Sequence, residues 1–197
     1  MRLIDVDKHE LQSGFPDQAL PDAKAQLWYS GSSAQARPPK YAILSHRWVG
    51  EEIDYDTFKK LPKAMLRAIS AGKSIPKLSS SAAGTNPSLY KVAGACRQVR
   101  DMNEAGDEPM QYLWVDCVCI NKYKGEGQEV TAAINAMFRW YQNSEVCLVY
   151  LFDVTWDETE KATSETQFIA SQWFTRGWTL QERWSRVNRK TAAAADN

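Results

Sequence analysis

Four adjacent residues bring four chemistries into one short stretch: Ser45 a hydroxyl, His46 an imidazole, Arg47 a guanidinium and Trp48 an indole. These types suit a sugar-phosphate and a stacked ring, because a guanidinium forks onto phosphate oxygens and an indole offers a flat face. A second reading stays open, in which Trp48 packs and His46 caps a strand. A lone carboxylate, Asp116, interrupts the apolar run from Tyr112 to Ile120. An ionised group among apolar neighbours must be hydrogen-bonded or ion-paired. Its partner is expected to be backbone amides or an Arg that braces the strand ends, with direct ligand contact as the other use. Asn121 and Lys122 follow at the exit of the run, where they touch a ligand or form the turn. Near the other end, Trp178 and Glu182 stand one helical turn apart. If 177–187 is helical, both project away from the stripe of Leu180, Trp184 and Val187. A carboxylate then sits beside an indole on the side turned from the core, although a Glu there is ordinarily just solvated.

Cys117 and Cys119 alternate on one strand face, and Cys96 or His46 could complete a metal set with them. Zinc draws paired ligands from turns at wider spacing, and the chain has only 2 His. No metal is therefore expected. Strand-embedded cysteines are mostly buried and inert, which also disfavours a Cys-His nucleophile. The sequence holds no G-x-x-x-x-G-K-[ST] phosphate loop, no G-x-G-x-x-G and no H-E-x-x-H, so NTPase, Rossmann dehydrogenase and zincin chemistries are disfavoured.

These residues need elements to hold them. Tyr41 to Ser45 is a short apolar run after two prolines and predicts a buried strand, with His46 to Glu52 as the loop beyond its C-terminal end. Thr57 to Ala71 carries apolar residues at helical spacing and stops at Gly72. In the helix predicted over 90–102, Val92, Cys96 and Val99 face inward and Arg97 and Arg100 face water. Tyr112 to Ile120 reads as a central strand covered on both sides. Val130, Ile134, Met137, Phe138 and Tyr141 recur as the core stripe of an amphipathic helix. A third buried strand is expected between Glu145 and Phe152, then a polar connection from Asp153 to Gln167 and a last helix from Phe168 to Val187. Residues 1–40 read as an irregular arm with one or two short strands, 79–88 as a small-residue loop insertion, and 191–197 as a low-complexity tail outside the fold. Strands alternating with helices predict an α/β fold around a mostly parallel sheet. In such sheets ligands bind beyond the C-terminal strand ends, where Ser45 to Trp48 and Asn121 lie.

The chain has 197 residues, within the range of a single domain. Lys and Arg total 24 and Asp and Glu total 24, so the formal net charge is zero and no global basic field invites nucleic acid. No apolar run reaches the roughly 18 residues of a membrane span, and the N-terminus turns charged too early for a signal peptide. A soluble cytoplasmic chain with reduced thiols is expected.

Three ordered blocks carry a resemblance: Tyr41 to Trp48, Leu113 to Lys122, and Trp173 to Glu182. Together they resemble the signature blocks of the fungal HET (heterokaryon incompatibility) domain, over about residues 1–186, and imply one domain over 1–190. The segment Ala133 to Tyr141 resembles members at the N-terminus of NACHT/WD-repeat receptors. Val49, where the family's first block continues Trp-Gly, is a departure. The resemblance implies an effector that triggers programmed cell death when genetically different fungal cells fuse. HET domains are in turn similar to TIR domains, which have a flavodoxin-like α/β fold. Set beside that pattern, Tyr41 to Glu52 is similar to the first TIR strand and loop, and Glu182 matches the Glu that is catalytic in NAD-cleaving members. Arg183 stands where a Leu is usual. The implied reaction cleaves the N-glycosidic bond of NAD, a substrate and not a bound cofactor. In it Glu182 stabilises the ribosyl cation, Trp178 or Trp48 stacks on a ring, and Arg47 with Ser45 contacts the diphosphate. Arg176 meets Asp116 or a phosphate. The implied partners are further copies of the chain and NACHT or repeat regions or another incompatibility protein. The competing class is a signalling module that acts by association without catalysis.

Overall fold

The computed structural model describes residues 1–13, 39–73, 86–103, 109–123, 127–175 and 177, and the backbone of 188–193. These residues form one six-stranded sheet of β1 (Arg2–Asp5), β2 (Glu10–Ser13), β3 (Tyr41–His46), β4 (Tyr112–Trp114), β5 (Val146–Leu151) and β6 (Asn188–Ala193), in the order β2-β1-β4-β3-β5-β6. The helices are α1 (Tyr55–Lys60), α2 (Lys63–Ser70), α3 (Pro87–Met102), α4 (Asp116–Cys119), α5 (Gln128–Asn143) and α6 (Lys161–Ala170), with a 3-10 turn over Gln172–Thr175. The fold is mixed α/β around a mostly parallel open sheet. β3 is parallel to β4 and β5, and β5 to β6. β1 joins β4 antiparallel and carries β2 outside it as a hairpin. That hairpin supplies the strands expected in the N-terminal arm. Its turn is held by the Asp5 carboxylate, which accepts from the amides of Asp7 and Lys8 at 3.1 and 2.9 Å.

Numbered by chain order, the parallel strands run 2-1-3-4, so the chain leaves β3 on one side to form β4 and returns to form β5 on the other. Side-chain contacts fix which helix lies on which side. Tyr41 donates to the Trp140 carbonyl of α5 at 2.7 Å, and Trp114 packs tilted on Trp140 with ring centres 5.4 Å apart. Ser45, two pleats from Tyr41, accepts from Trp173 on the same face. His46 points to the opposite face, where its register partner Tyr150 lies under Lys91 of α3.

Several boundaries differ from the sequence expectation, each for a local reason. The helix expected over 57–71 is two helices, because Leu61 is extended and Pro62 starts α2 without an amide to donate. α3 begins earlier than expected, with Asn86 as its N-cap accepting from Ser88 at 2.8 Å and Pro87 in the first turn. Residues 86–88 thus belong to the helix rather than the loop, and 79–85 lie outside the described residues. Arg100 does not face water: it donates to the Val6 carbonyl and to Ser70. The strand expected over 112–120 stops at Trp114. Asp116 accepts from the Cys117 amide at 2.6 Å and Val115 accepts from the Cys119 amide at 2.7 Å, which winds the apolar run into a helical turn. In α5 the buried residues are Ala133, Ala136, Trp140 and Tyr141, while Ile134 and Phe138 are 44% and 38% exposed. Of the last expected helix, 168–170 end α6 and 172–175 form the 3-10 turn. Residues 176 and 178–187 lie outside the described residues. Residues 191–193, set aside as tail, complete β6, since strand pairing with β5 uses backbone groups that any side chain leaves available.

Candidate functional site

The site forms at the C-terminal ends of the neighbouring parallel strands β3 and β4. His46 is the last residue of β3, and Asp116 opens α4 one residue after β4. Their pairing across the parallel strands follows from register, with Ile43 opposite Trp114. Nε2 of His46 lies 2.8 Å from Oδ1 of Asp116, and the Trp48 indole donates to Oδ2 at 3.2 Å. The Cys117 amide completes the shell. Burial works to raise the Asp116 carboxyl, but His46, by charge and hydrogen bond, with the Cys117 amide and Lys122, outweighs it and carries it down to about 2. The carboxylate is therefore ionised at any physiological pH. Among the described residues Asp116 has the backbone amide that is one of its expected partners, and with it an imidazole and an indole.

Trp48 is 41% exposed and its ring carries the Lys122 ammonium 3.6 Å from the centroid. Arg47 is half-buried, with a long 3.5 Å contact to the Gln172 carbonyl. Beyond β5, Asp153 accepts from Ser171 Oγ and the Gln172 amide, both at 2.7 Å. Ser45 does not reach the opening. It is fully buried and accepts from Trp173 Nε1 at 2.8 Å, which ties the segment leading towards 176–182 to the end of β3. Asn121 turns its side-chain oxygen to the Tyr123 amide at 3.1 Å, as a turn former does. The structure thus brings His46, Trp48 and Asp116 together, with Lys122 over the Trp48 ring, while Arg47 reaches the Gln172 carbonyl. Arg176, Trp178 and Glu182 lie outside the described residues.

Behind the Trp48 loop sits a group that the sequence reading did not single out. Glu52 accepts from Lys91 Nζ at 2.6 Å on both oxygens, from Ser88 Oγ at 2.6 Å and from the Val49 amide at 3.1 Å. Both charged side chains are buried. Burial raises the Glu52 carboxyl, yet Lys91 and Ser88 more than offset it and its pKa falls below the usual value. A signal was present: Ser88, Lys91 and Ala95 share the helix face that also carries Val92, and a Lys there demands an opposite charge.

His46, Asp116 and Cys117 offer donor atoms within 4.8 Å of one another, the only such metal-type group among the described residues. They fit a metal poorly. Burial, then the neighbouring Asp116 and Glu52 carboxylates, push the Cys117 thiol well above its usual value, whereas a ligand must be thiolate. Both Asp116 oxygens already accept hydrogen bonds. The group reads as a brace. All four cysteines are buried free thiols. A separate cavity of about 250 Å³ is lined by Arg2, Trp114, Cys119, Ile120, Glu129 and Trp140, of which Cys119 is one of the metal-ligand candidates weighed from sequence. No helix among the described residues is long and apolar enough to cross a membrane.

In comparison with known proteins, residues 41–170 match the family model described as Heterokaryon incompatibility protein (HET). The chain is 36% identical over 149 residues to the vegetative incompatibility protein HET-E-1 of Podospora anserina, an alignment that covers 73% of this chain. It spans 9% of the length of that relative. No solved structure matches.

Proposed function

The chain belongs to the heterokaryon incompatibility (HET) family, and from that premise we propose that it is the effector domain of a fungal incompatibility and cell-death protein with TIR-like NAD-cleaving activity. The observation that carries the reading is the cluster at the C-terminal ends of β3 and β4, where the Asp116 carboxylate meets His46 and the Trp48 indole and Lys122 lies over the Trp48 ring. The parallel order 2-1-3-4 is also the one found in flavodoxin-like sheets, whose ligands bind beyond the C-terminal ends of the strands.

In the proposed reaction the bond from the ribose anomeric carbon to the nicotinamide nitrogen breaks, and its electron pair stays on the nitrogen. Nicotinamide leaves neutral, so no general acid is needed. The ribosyl centre becomes cationic and is captured by water, which gives up a proton to solvent and leaves ADP-ribose, or by a ring atom of the adenine to give a cyclised form. The barrier is the developing positive charge, and a carboxylate that hydrogen-bonds the ribose hydroxyls lowers it by several kcal/mol. Glu182 is proposed for that role. Arg47 is suited to the diphosphate, and Arg176 to a phosphate or to Asp116. Trp48 offers the ring face that Lys122 leaves open, and Trp178 is the other stacking candidate. His46 and Asp116 act as positioning residues that hold the Trp48 indole. Ser45, buried against Trp173, supports the segment that precedes Glu182 and does not touch the diphosphate.

The test is nicotinamide release from NAD by the purified chain at high protein concentration, compared with Glu182→Ala and with Trp48→Ala. Release by the wild type, abolished in Glu182→Ala and weakened in Trp48→Ala while both stay folded, supports the reading. No release at any concentration, or equal release by Glu182→Ala, overturns it. The second reading is a module that kills by association, favoured by the exposed large apolar residues Trp156 and Ile169. A death phenotype that survives Glu182→Ala distinguishes it.

A further inference from the structure

The cavity between β1 and α5 stands apart from the arrangement read as NAD-cleaving, since His46, Arg47, Trp48 and Asp116 all lie outside its lining. Antiparallel pairing creates it. Ile4 stands opposite Leu113, which carries Arg2 beyond the end of β4, and α5 closes the space from the side of Glu129 and Trp140. The lining is graded in exposure. Trp114, Ile120, Ala133 and Trp140 are buried and form the floor, whereas Ser13 and Ala132 are exposed and mark the rim. The two indoles are tilted by 57° with centres 5.4 Å apart, so neither ring covers the face of the other.

One wall is ionic. Arg2 and Glu129 pair through both carboxylate oxygens, and Arg2 also donates to the Cys119 carbonyl at 2.8 Å with its guanidinium 4.8 Å from the Tyr55 ring centre. The two charges neutralise each other, so the wall asks for neither a cation nor an anion. Its hydrogen bonding is less complete. Glu129 Oε1 accepts from Arg2 and from the Asn121 amide at 2.8 Å, whereas among the described residues Oε2 accepts only from Arg2 Nη2, at 2.6 Å. A carboxylate oxygen takes two donors, and Oε2 therefore keeps one acceptor place open.

The space, the aromatic floor and the open acceptor together select a ligand. An apolar cavity of about 150 Å³ takes up benzene. At about 250 Å³ this one has room for a second ring. A charged molecule would give up its hydration there without meeting an unpaired opposite charge. We propose that the cavity is a binding site for a small uncharged aromatic molecule of one or two fused rings carrying an N–H donor. The ring lies against Trp114, Trp140 and Ile120, and the N–H donates to Glu129 Oε2. The assignment rests on this cavity alone and does not depend on NAD cleavage.

Indole is the test compound, because it has two fused rings and one N–H, and benzofuran is its control, with the same rings and an oxygen in place of the N–H. Isothermal titration calorimetry of the purified chain is expected to show saturable one-to-one binding of indole. Benzofuran is expected to bind at least about tenfold more weakly, the size of a lost hydrogen bond to a charged acceptor. In NMR spectra of the ¹⁵N-labelled chain, the indole N–H signals of Trp114 and Trp140 are expected to shift more on titration than those of the other tryptophans. Ala133→Leu, which puts a larger side chain into the floor, is expected to abolish binding, with a circular dichroism melt to check its fold. The comparison of indole with benzofuran needs no substitution and decides if that variant does not fold. No saturable binding of indole, equal binding of the two compounds, shifts confined to other tryptophans, or undiminished binding by folded Ala133→Leu each overturns the proposal.

Discussion

Asp116 holds its partners on two oxygens: His46 and the Cys117 amide on one, the Trp48 indole on the other. Its carboxyl lies at about 2 against an ordinary value of 3.8. The folded pKa is depressed, so the stabilisation is present above about pH 4 and is lost as pH falls through about 2. The size is about 2 kcal/mol, taking about 1.4 kcal/mol for each unit. Urea melts of the wild type and Asp116→Asn at pH 5 and at pH 2.5 check this. The gap between the two proteins is expected to narrow at the lower pH, and a gap of constant size would mean that the carboxylate is not the group that titrates. A buried polar residue announces from sequence that it needs a partner, but not which one. Here the partners come from a different strand and loop, and only the parallel register of β3 and β4 brings them within reach.

At the scale of elements, α5 carries the clearest divergence between pattern and packing. Val130, Ile134, Met137, Phe138 and Tyr141 recur at helical spacing, and the expectation put them in the core; Tyr141 is buried and Val130 and Met137 pack against the core, but Ile134 and Phe138 are exposed. The sheet instead accepts Ala133, Ala136, Trp140 and Tyr141, because Trp114 and Tyr41 already fill the space beneath and small residues let the helix approach. Ile134→Ser and Phe138→Ser are therefore expected to change stability by no more than about 0.5 kcal/mol each. Ala136→Leu is expected to cost about 1–3 kcal/mol through overpacking. Chemical unfolding of the three variants decides, and the reverse ranking would put the apolar stripe back inside. The Pro62 break between α1 and α2 and the Asn86 cap of α3 were legible residue types that the reading passed over. The Glu52 and Lys91 pair was half legible, as a charge on a buried face without a named partner.

For the whole molecule, β6 covers the outer edge of β5, whose residues are almost all buried. Ending the chain before Asn188 would leave β5 as an apolar edge strand, and such edges pair between molecules. The truncated chain is expected to aggregate on concentration, measured by light scattering against the full chain. A truncated chain that stays dispersed would mean that the β5 edge is otherwise protected. The sequence by itself determined the alternation of buried strands and helices, the α/β class and the family, because apolar period and ordered motifs are local signals. It also marked His46, Arg47, Trp48 and Asp116 as chemically informative. Only the tertiary structure decided that Asp116 pairs with His46 and Trp48 and that Ser45 turns inward to Trp173. Those outcomes depend on strand order and crossover direction, which join residues far apart in the chain and leave no local trace in it.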